Sequence, residues 1–392
     1  MNNRVRLIGA ALIALVPSAR VSAQDTLVVR ADNAPEWGSN TRLVRELRIG
    51  ELDGAPEYTF GRIRGVTAGR DGSIFVVDAQ VPTVRQYDAA GKHVRNFGRR
   101  GNGPGELQNP ETAALVGNQL IVRDLITHRF VVYPLDGGEP RHWNYQSSSA
   151  SFRPIVVHED GAISTPFSIP RGGPVGQQAV LRYNRDGAIR DSLITPKFGP
   201  DPAMLTVAAG PGGGRASYSI AYLPGAVWVF SPKGQFMGGL PSRYSVVIVD
   251  GRNVKRIDRR SQPVSVSAEE RNELMSRTER IIRSGNDPNF KWNGPEVPTT
   301  KPFYKELRVD SEDRIWVHLH SRSTRVEPAN AESPVTYREP VIYDVISSAG
   351  RYLGQIRFPD GFVLHHVQGN QVWGTERGEF DVQYVVRYRI AH

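Results

Sequence analysis

Few residues in this chain stand in a pattern that could do chemistry by itself. His318 and His320 lie two apart in the run Ile315 to His320. On a strand both imidazoles would share one face and could hold a metal ion through their ring nitrogens. Two histidines packed on a sheet surface is the plainer alternative. A second group is cationic. Arg99, Arg100, Arg171, Arg243, Arg322, Arg325 and Arg377 fall in connecting segments, joined by Arg259, Arg260 and Arg338. A guanidinium grips a carboxylate or phosphate through two parallel hydrogen bonds. These arginines are therefore the candidate ligand-binding residues, unless neighbouring acids such as Glu327, Glu332, Glu339 and Glu379 neutralise them. Asp78 and Asp124 each end an apolar run, where a carboxylate readily accepts hydrogen bonds from the turn that follows. The adjacent pair His365-His366 would point to opposite faces of a strand, leaving one to face any central space.

Other chemistry is excluded. The chain has no cysteine, so disulfides, thiolate metal sites and a cysteine nucleophile are absent. Gly101-Asn102-Gly103-Pro104-Gly105 is glycine-rich, but Pro104 and the lack of a following helical pattern argue against a phosphate loop. No nucleophile elbow, zinc-protease helix or EF-hand loop occurs. An enzyme built on this chain would have to gather its site from distant segments.

The first 23 residues read as an export leader. Arg4 and Arg6 precede the apolar run Leu7 to Val16, and Val21-Ser22-Ala23 suits cleavage before Gln24. Without an acceptor cysteine, lipid attachment is not expected. No later stretch suits a membrane span. The leader takes three arginines with it, which lowers the net charge from +9 to +6. Basic residues are scattered rather than blocked, so a nucleic-acid partner is not expected. An anionic ligand or an envelope protein fits better, bound by a monomer in the periplasm or outside the cell.

The elements that must position any site come from an internal repeat. A turn followed by a β-rich run recurs before Ile74–Asp78, Leu120–Asp124, Ala162–Thr165, Val227–Phe230, Ile315–His318 and Val372–Thr375. A hairpin with Gly or Asp at its turn follows each run except the last. A further strand precedes each, near 63–68, 112–116, 152–158, 217–223, 304–309 and 362–367. Four strands in six units predict an all-β, six-bladed β-propeller. The sixth unit ends at Gln383–Ile390 with its fourth strand missing, and Leu43–Ile49 supplies a candidate. The N-terminal strand is thus predicted to complete the C-terminal blade. The organisation expected is a signal peptide over 1–23, a lead segment over 24–40 and the propeller over 41–392. Trp228, Trp316 and Trp373 are expected to pack blade against blade.

The stretch Phe97-Gly98-Arg99-Arg100-Gly101-Asn102-Gly103-Pro104-Gly105-Glu106-Leu107, with the runs ending at Asp78 and Asp124, resembles the NHL-repeat family of six-bladed propellers over about residues 58–135. That family holds binding scaffolds and a few enzymes. Its lyase branch uses three inner-strand histidines to hold zinc, and the runs 63–68 and 112–116 carry none. Related lactonases hold calcium in the channel.

In such a ring, second-to-third-strand loops and blade-to-blade loops share one face. The long connections Thr165–Gln178, Ser231–Arg243 and His318–Pro340 would belong to the first class. The insertion over 259–301 would belong to the second, carrying a helix over Ala268–Ser284 with a capping box at Ser267 and Glu270. The function expected is ligand or protein binding on this loop-rich face. The alternative is a metal-dependent hydrolase or lyase, with calcium or zinc in the central channel.

Overall fold

The computed structural model describes residues 15–16, 26–145, 154–169, 178–209, 214–327 and 335–392. Six antiparallel sheets form the blades of a β-propeller. Blade one runs from its inner to its outer strand through Ile63–Ala68, Ile74–Asp78, Thr83–Tyr87 and His93–Phe97. Blade two uses Pro110–Val116, Gln119–Asp124, Arg129–Pro134 and Arg141–Asn144. Blade three uses Val156–Val157, Ile163–Ser168, Gln178–Tyr183 and Ile189–Ile194.

Blade four departs from the sequence reading. Its innermost strand is Val227–Phe230, followed by Phe236–Gly239, Ser245–Asp250 and Asn253–Asp258. The run near 217–223 is not its first strand. Gly214–Ser219 instead pairs with Met204–Ala209 as a separate hairpin. Nor is Ser231–Arg243 a second-to-third connection, because Phe236–Gly239 lies inside it. The real turn between the first two strands is Ser231–Gln235, where Gly234 takes φ +84°. Two glycines hid the second strand, since glycine has little strand propensity. Packing requires one of them: a Cβ on Gly239 would stand 2.4 Å from the Tyr304 hydroxyl oxygen.

Blade five comprises Tyr304–Val309, Ile315–Leu319, Val341–Ile346 and Tyr352–Phe358. Blade six comprises Val363–Gln368, Gln371–Arg377 and Gln383–Ala391, and is completed by the N-terminal strand Arg42–Ile49. That strand pairs antiparallel with Gln383–Ala391 from Arg42↔Ala391 to Ile49↔Val385. The ring closes as the missing strand of the last unit required.

The core is distributed over the seams between blades. Phe75, Val77, Leu120 and Val122 fill the seam between blades one and two. Trp316 packs with Tyr388 and Val386 between blades five and six, and Trp373 with Ile63 and Ile74 between blades six and one. Trp228 packs on Val180 of blade three and donates its indole N–H to Gln178 Oε1 at 3.0 Å. All three tryptophans thus hold blade to blade, although Trp228 sits on an inner strand and the other two on second strands. Each sheet is covered on both faces, which is why its strands read as near-continuous apolar runs.

The lead segment is structured. Thr26–Arg30 adds in parallel to the outer strand of blade four. Asn33 then exchanges two hydrogen bonds with the Tyr352 backbone, and Trp37 N–H donates to Leu353 C=O at 2.8 Å. The chain therefore crosses the outer edges of blades four and five before entering blade six. Within the expected leader, Leu15–Val16 lies parallel to Ser192–Leu193. The remainder of 1–23 lies outside the described residues.

Candidate functional site in the central channel

The inner strands surround a cavity of about 660 Å³. Its two sides differ in chemistry. Blades three and four supply Val156, Val180, Val227, Trp228, Val229 and Phe230, an apolar wall with one indole. Blades one, two, five and six supply Arg64, Glu111, Lys305, Glu306, Arg308, His365 and His366.

A repeated backbone irregularity presents four of these residues. The inner-strand register slips by one residue at Arg64 in blade one, Glu111 in blade two, Lys305 in blade five and His365 in blade six. Such bulges rotate an extra side chain out of the strict alternation. Arg64, Glu111 and Lys305 are each the second residue of their strand. They therefore stand at the mouth that opens among the blade-to-blade connections. The bulge at His365 also corrects an expectation: strict alternation puts only one of His365 and His366 on the channel, but both line it.

Glu111 is 6% exposed. Arg123 contacts one of its carboxylate oxygens, Oε2, through Nε at 2.8 Å and Nη2 at 2.7 Å. Arg123 also donates to Thr165 Oγ1 at 2.7 Å. The other oxygen, Oε1, is buried with no protein partner. Burial pushes the Glu111 carboxyl above the usual range, and Arg123 and Arg64 pull it back only in part. On the far side, Arg308 forms an ion pair with the Glu306 carboxylate, Nε to Oε1 at 2.9 Å. Burial opposes ionisation of Glu306, yet Arg308 and His318 bring its carboxyl below the usual range. Burial lowers His365 to about 3 and His366 to about 4, so both rings are neutral at pH 7.

The insertions build a cap beside this mouth. Helix Ala268–Gly285 and the hairpin Met204–Ala209/Gly214–Ser219 share a small core around Leu205, Ile220, Ile282 and Phe290. Ser267 caps the helix as expected, its Oγ accepting from Glu270 N–H at 3.1 Å. The Glu270 carboxylate, however, joins a buried charge cluster. Lys301, 2% exposed, meets Glu270 Oε1 at 3.3 Å and Glu339 Oε1 at 2.9 Å. Glu339 also accepts from Lys305 at 2.9 Å and from Ser321 N–H at 2.9 Å. Burial opposes its charge, but His320, Lys305 and Ser321 hold its carboxyl far below the usual range. Glu339 thus joins the cap to the channel-lining Lys305.

The histidines singled out from spacing are held apart by different partners. His320 Nδ1 lies 3.1 Å from Glu339, whereas His318 stacks on Tyr343 with centroids 4.5 Å apart. Among the described residues, no group of three or more His, Asp or Glu is arranged to hold a metal ion. Asp78 accepts hydrogen bonds from the N–H groups of Gly61, Arg62, Gln80 and Val81, and Asp124 from those of Gln108, Asn109, Ile126 and Thr127. Each carboxylate stitches two connections together.

The candidate arginines do not converge on one point. Arg99 pairs with Glu106 at 2.9 Å, Arg100 donates to the Gln80 carbonyl, Arg325 meets Glu327, and Arg377 meets Asp381 at 2.7 Å. Arg322 and Arg338 are exposed, and Arg171 lies outside the described residues. Only Arg243, Arg259 and Arg260 gather, in a pocket between blades four and five. Spacing gave no sign of Arg64, Glu111 or Lys305. The available signal was a charged residue in second place on the inner strands of blades one, two and five.

This geometry defines the protein as a six-bladed β-propeller with a polar-and-apolar channel. No protein-family model matches the chain. No curated protein matches it. Among solved structures it is similar to a member of the DUF4221 family from Bacteroides vulgatus ATCC 8482, at TM-score 0.54 and 11% identity, covering 89% of this chain and 98% of that one. A Bacteroides fragilis NCTC 9343 protein, whose name assigns it only provisionally to the exported class, matches at TM-score 0.50 and 9% identity over 94% and 100% of the two chains. These likenesses establish the fold. Among the described residues no helix is long and apolar enough to cross a membrane.

Proposed function

We propose that this protein is an exported binding propeller that takes up a small, partly apolar molecule in its central channel, entered from the face that carries the insertions. The observation that supports it is the two-sided cavity of about 660 Å³, one wall apolar around Trp228 and the other bearing Arg64, Glu111, Lys305 and Arg308. A pocket of this size, mostly apolar with a few oriented polar groups, is the usual form of a small-molecule site. Glu111, Arg64 and Arg308 would read polar groups of the ligand, and Trp228 would carry its apolar part. Export rests on the leader pattern over 1–23, and the NHL-type relationship on the Phe97–Leu107 and Val-x-Asp elements of blades one and two.

Trp228 makes the reading testable. Purified protein is titrated with a panel of small aromatic and aliphatic carboxylates while tryptophan emission and thermal unfolding are followed. At least one compound is expected to raise the unfolding temperature and change the emission, and both responses should vanish in Arg308→Ala. Responses that persist in that variant, or none across the panel, would overturn the proposal.

A further inference from the structure

A second cavity, also about 660 Å³, lies between blades four and five on the insertion-bearing face. Its lining comes from two backbone segments, Ser242 to Ser245 and the run from Arg256 to Gln262, together with Phe303. Four of its residues are arginines: Arg243, Arg256, Arg259 and Arg260. Concentrating four guanidiniums in one concavity costs energy unless anions share it.

Three of the four have one carboxylate each. Arg256 meets Asp258 at 3.1 Å, Arg259 meets Asp344 at 3.2 Å, and Arg260 meets Asp32 at 3.4 Å. Arg243 is exposed, and no ion pair to it is found among the described residues. Arg259 is the anchor. Its guanidinium lies 3.4 Å from the centre of the Tyr352 ring and donates from Nη1 to the Ala31 carbonyl at 2.6 Å. Stacking and hydrogen bonding fix the plane of that guanidinium before any ligand arrives, which reduces the ordering cost of binding. The N-terminal segment supplies Ala31 and Asp32, which hold Arg259 and Arg260 in place as that segment crosses blade four.

We propose that this cavity binds a phosphate or sulfate group at the seam of blades four and five, separately from the channel. Donors approach from two segments, and the hydroxyl groups of Ser242, Ser245 and Ser261 lie among them. Such an array suits a tetrahedral oxyanion with several acceptor atoms better than a planar carboxylate, which one bidentate arginine satisfies.

Calorimetric titration of the purified protein with inorganic phosphate, inorganic sulfate and acetate tests the proposal. One saturable site is expected for phosphate or sulfate, with acetate at least about tenfold weaker, the equivalent of one charge-assisted hydrogen bond. Preference for phosphate points to a phosphate ester as the natural group, and preference for sulfate to a sulfate ester. The exposed double substitution Arg243→Ala/Arg260→Ala should weaken binding by about tenfold or more. The channel substitution Arg308→Ala should leave it unchanged, which separates this site from the channel proposal. Absence of saturable binding, acetate binding as tightly, or affinity that survives the double substitution would refute it.

Discussion

At the scale of single residues, the charges that matter are buried and paired, while many exposed ones are held by nearby acids. Glu339 shows the contrast with Arg99. Arg99 is 84% exposed, and its pairing with Glu106 contributes little in water. Glu339 sits among Lys301, Lys305, His320 and Ser321, and removing one member of a buried ionic group leaves the others uncompensated. Glu339→Gln should therefore destabilise the protein by about 3 kcal/mol at pH 7 in urea unfolding. The pH dependence has a definite sign. The folded-state value of Glu339 lies below its unfolded value. Its contribution is thus complete above the ordinary glutamate pKa of about 4.3 and is lost as pH falls below it. The substitution should flatten the acid-side loss of stability below about pH 4.3. An unchanged acid limb would show that the cluster is not ionised as described.

At the scale of elements, the cap depends on local signals that are strong in sequence. Ser267 in extended conformation opens the helix, and Glu269 and Glu270 occupy its first turn. Both features favour the helix N-terminus. Ser267→Ala should cost about 1 kcal/mol, measured as a shift of the denaturation midpoint without change of slope. Glycine placement is equally local in blade one. Gly98 takes φ +72°, and a Cβ there would stand 2.6 Å from the Tyr133 hydroxyl oxygen and 2.7 Å from Leu107 Cδ1. The Phe-Gly element therefore ends an outer strand and lets the next connection turn in against blade two. Blade four lacked such clear punctuation. Its glycine-containing second strand was invisible to propensity, which displaced one strand assignment.

For the whole molecule, closure is the decisive contact. Arg42–Ile49 joins the start of the ring to its end, and residues Leu47 and Ile49 also pack into the seam with blade one. Deleting residues 42–49 would leave the Gln383–Ala391 edge unpaired and expose two seams together. Such a truncation is expected to lower the unfolding temperature sharply and to broaden the transition in calorimetry. A truncated protein that melts like the full chain would contradict closure through this strand. A separate stretch just before it, residues 26–32, covers the outer edge of blade four and places Ala31 and Asp32 on Arg259 and Arg260.

The sequence by itself determined the ring: six β-rich runs, turn glycines, an incomplete last unit, a spare N-terminal strand and a capped helix are all local patterns, and local patterns survive in a linear reading. It also showed that Asp78 and Asp124 serve turns, because short-range hydrogen bonds are set by the residues beside them. What only the tertiary structure decided was the site. Arg64, Glu111, Lys305 and His365 come together because register slips on four separate inner strands aim them at one channel. A register slip is a property of two paired strands, and no single strand records it. Arg259 and Arg260 of blade four are likewise held by Ala31 and Asp32, from an N-terminal segment more than 200 residues away in sequence that lies across that blade.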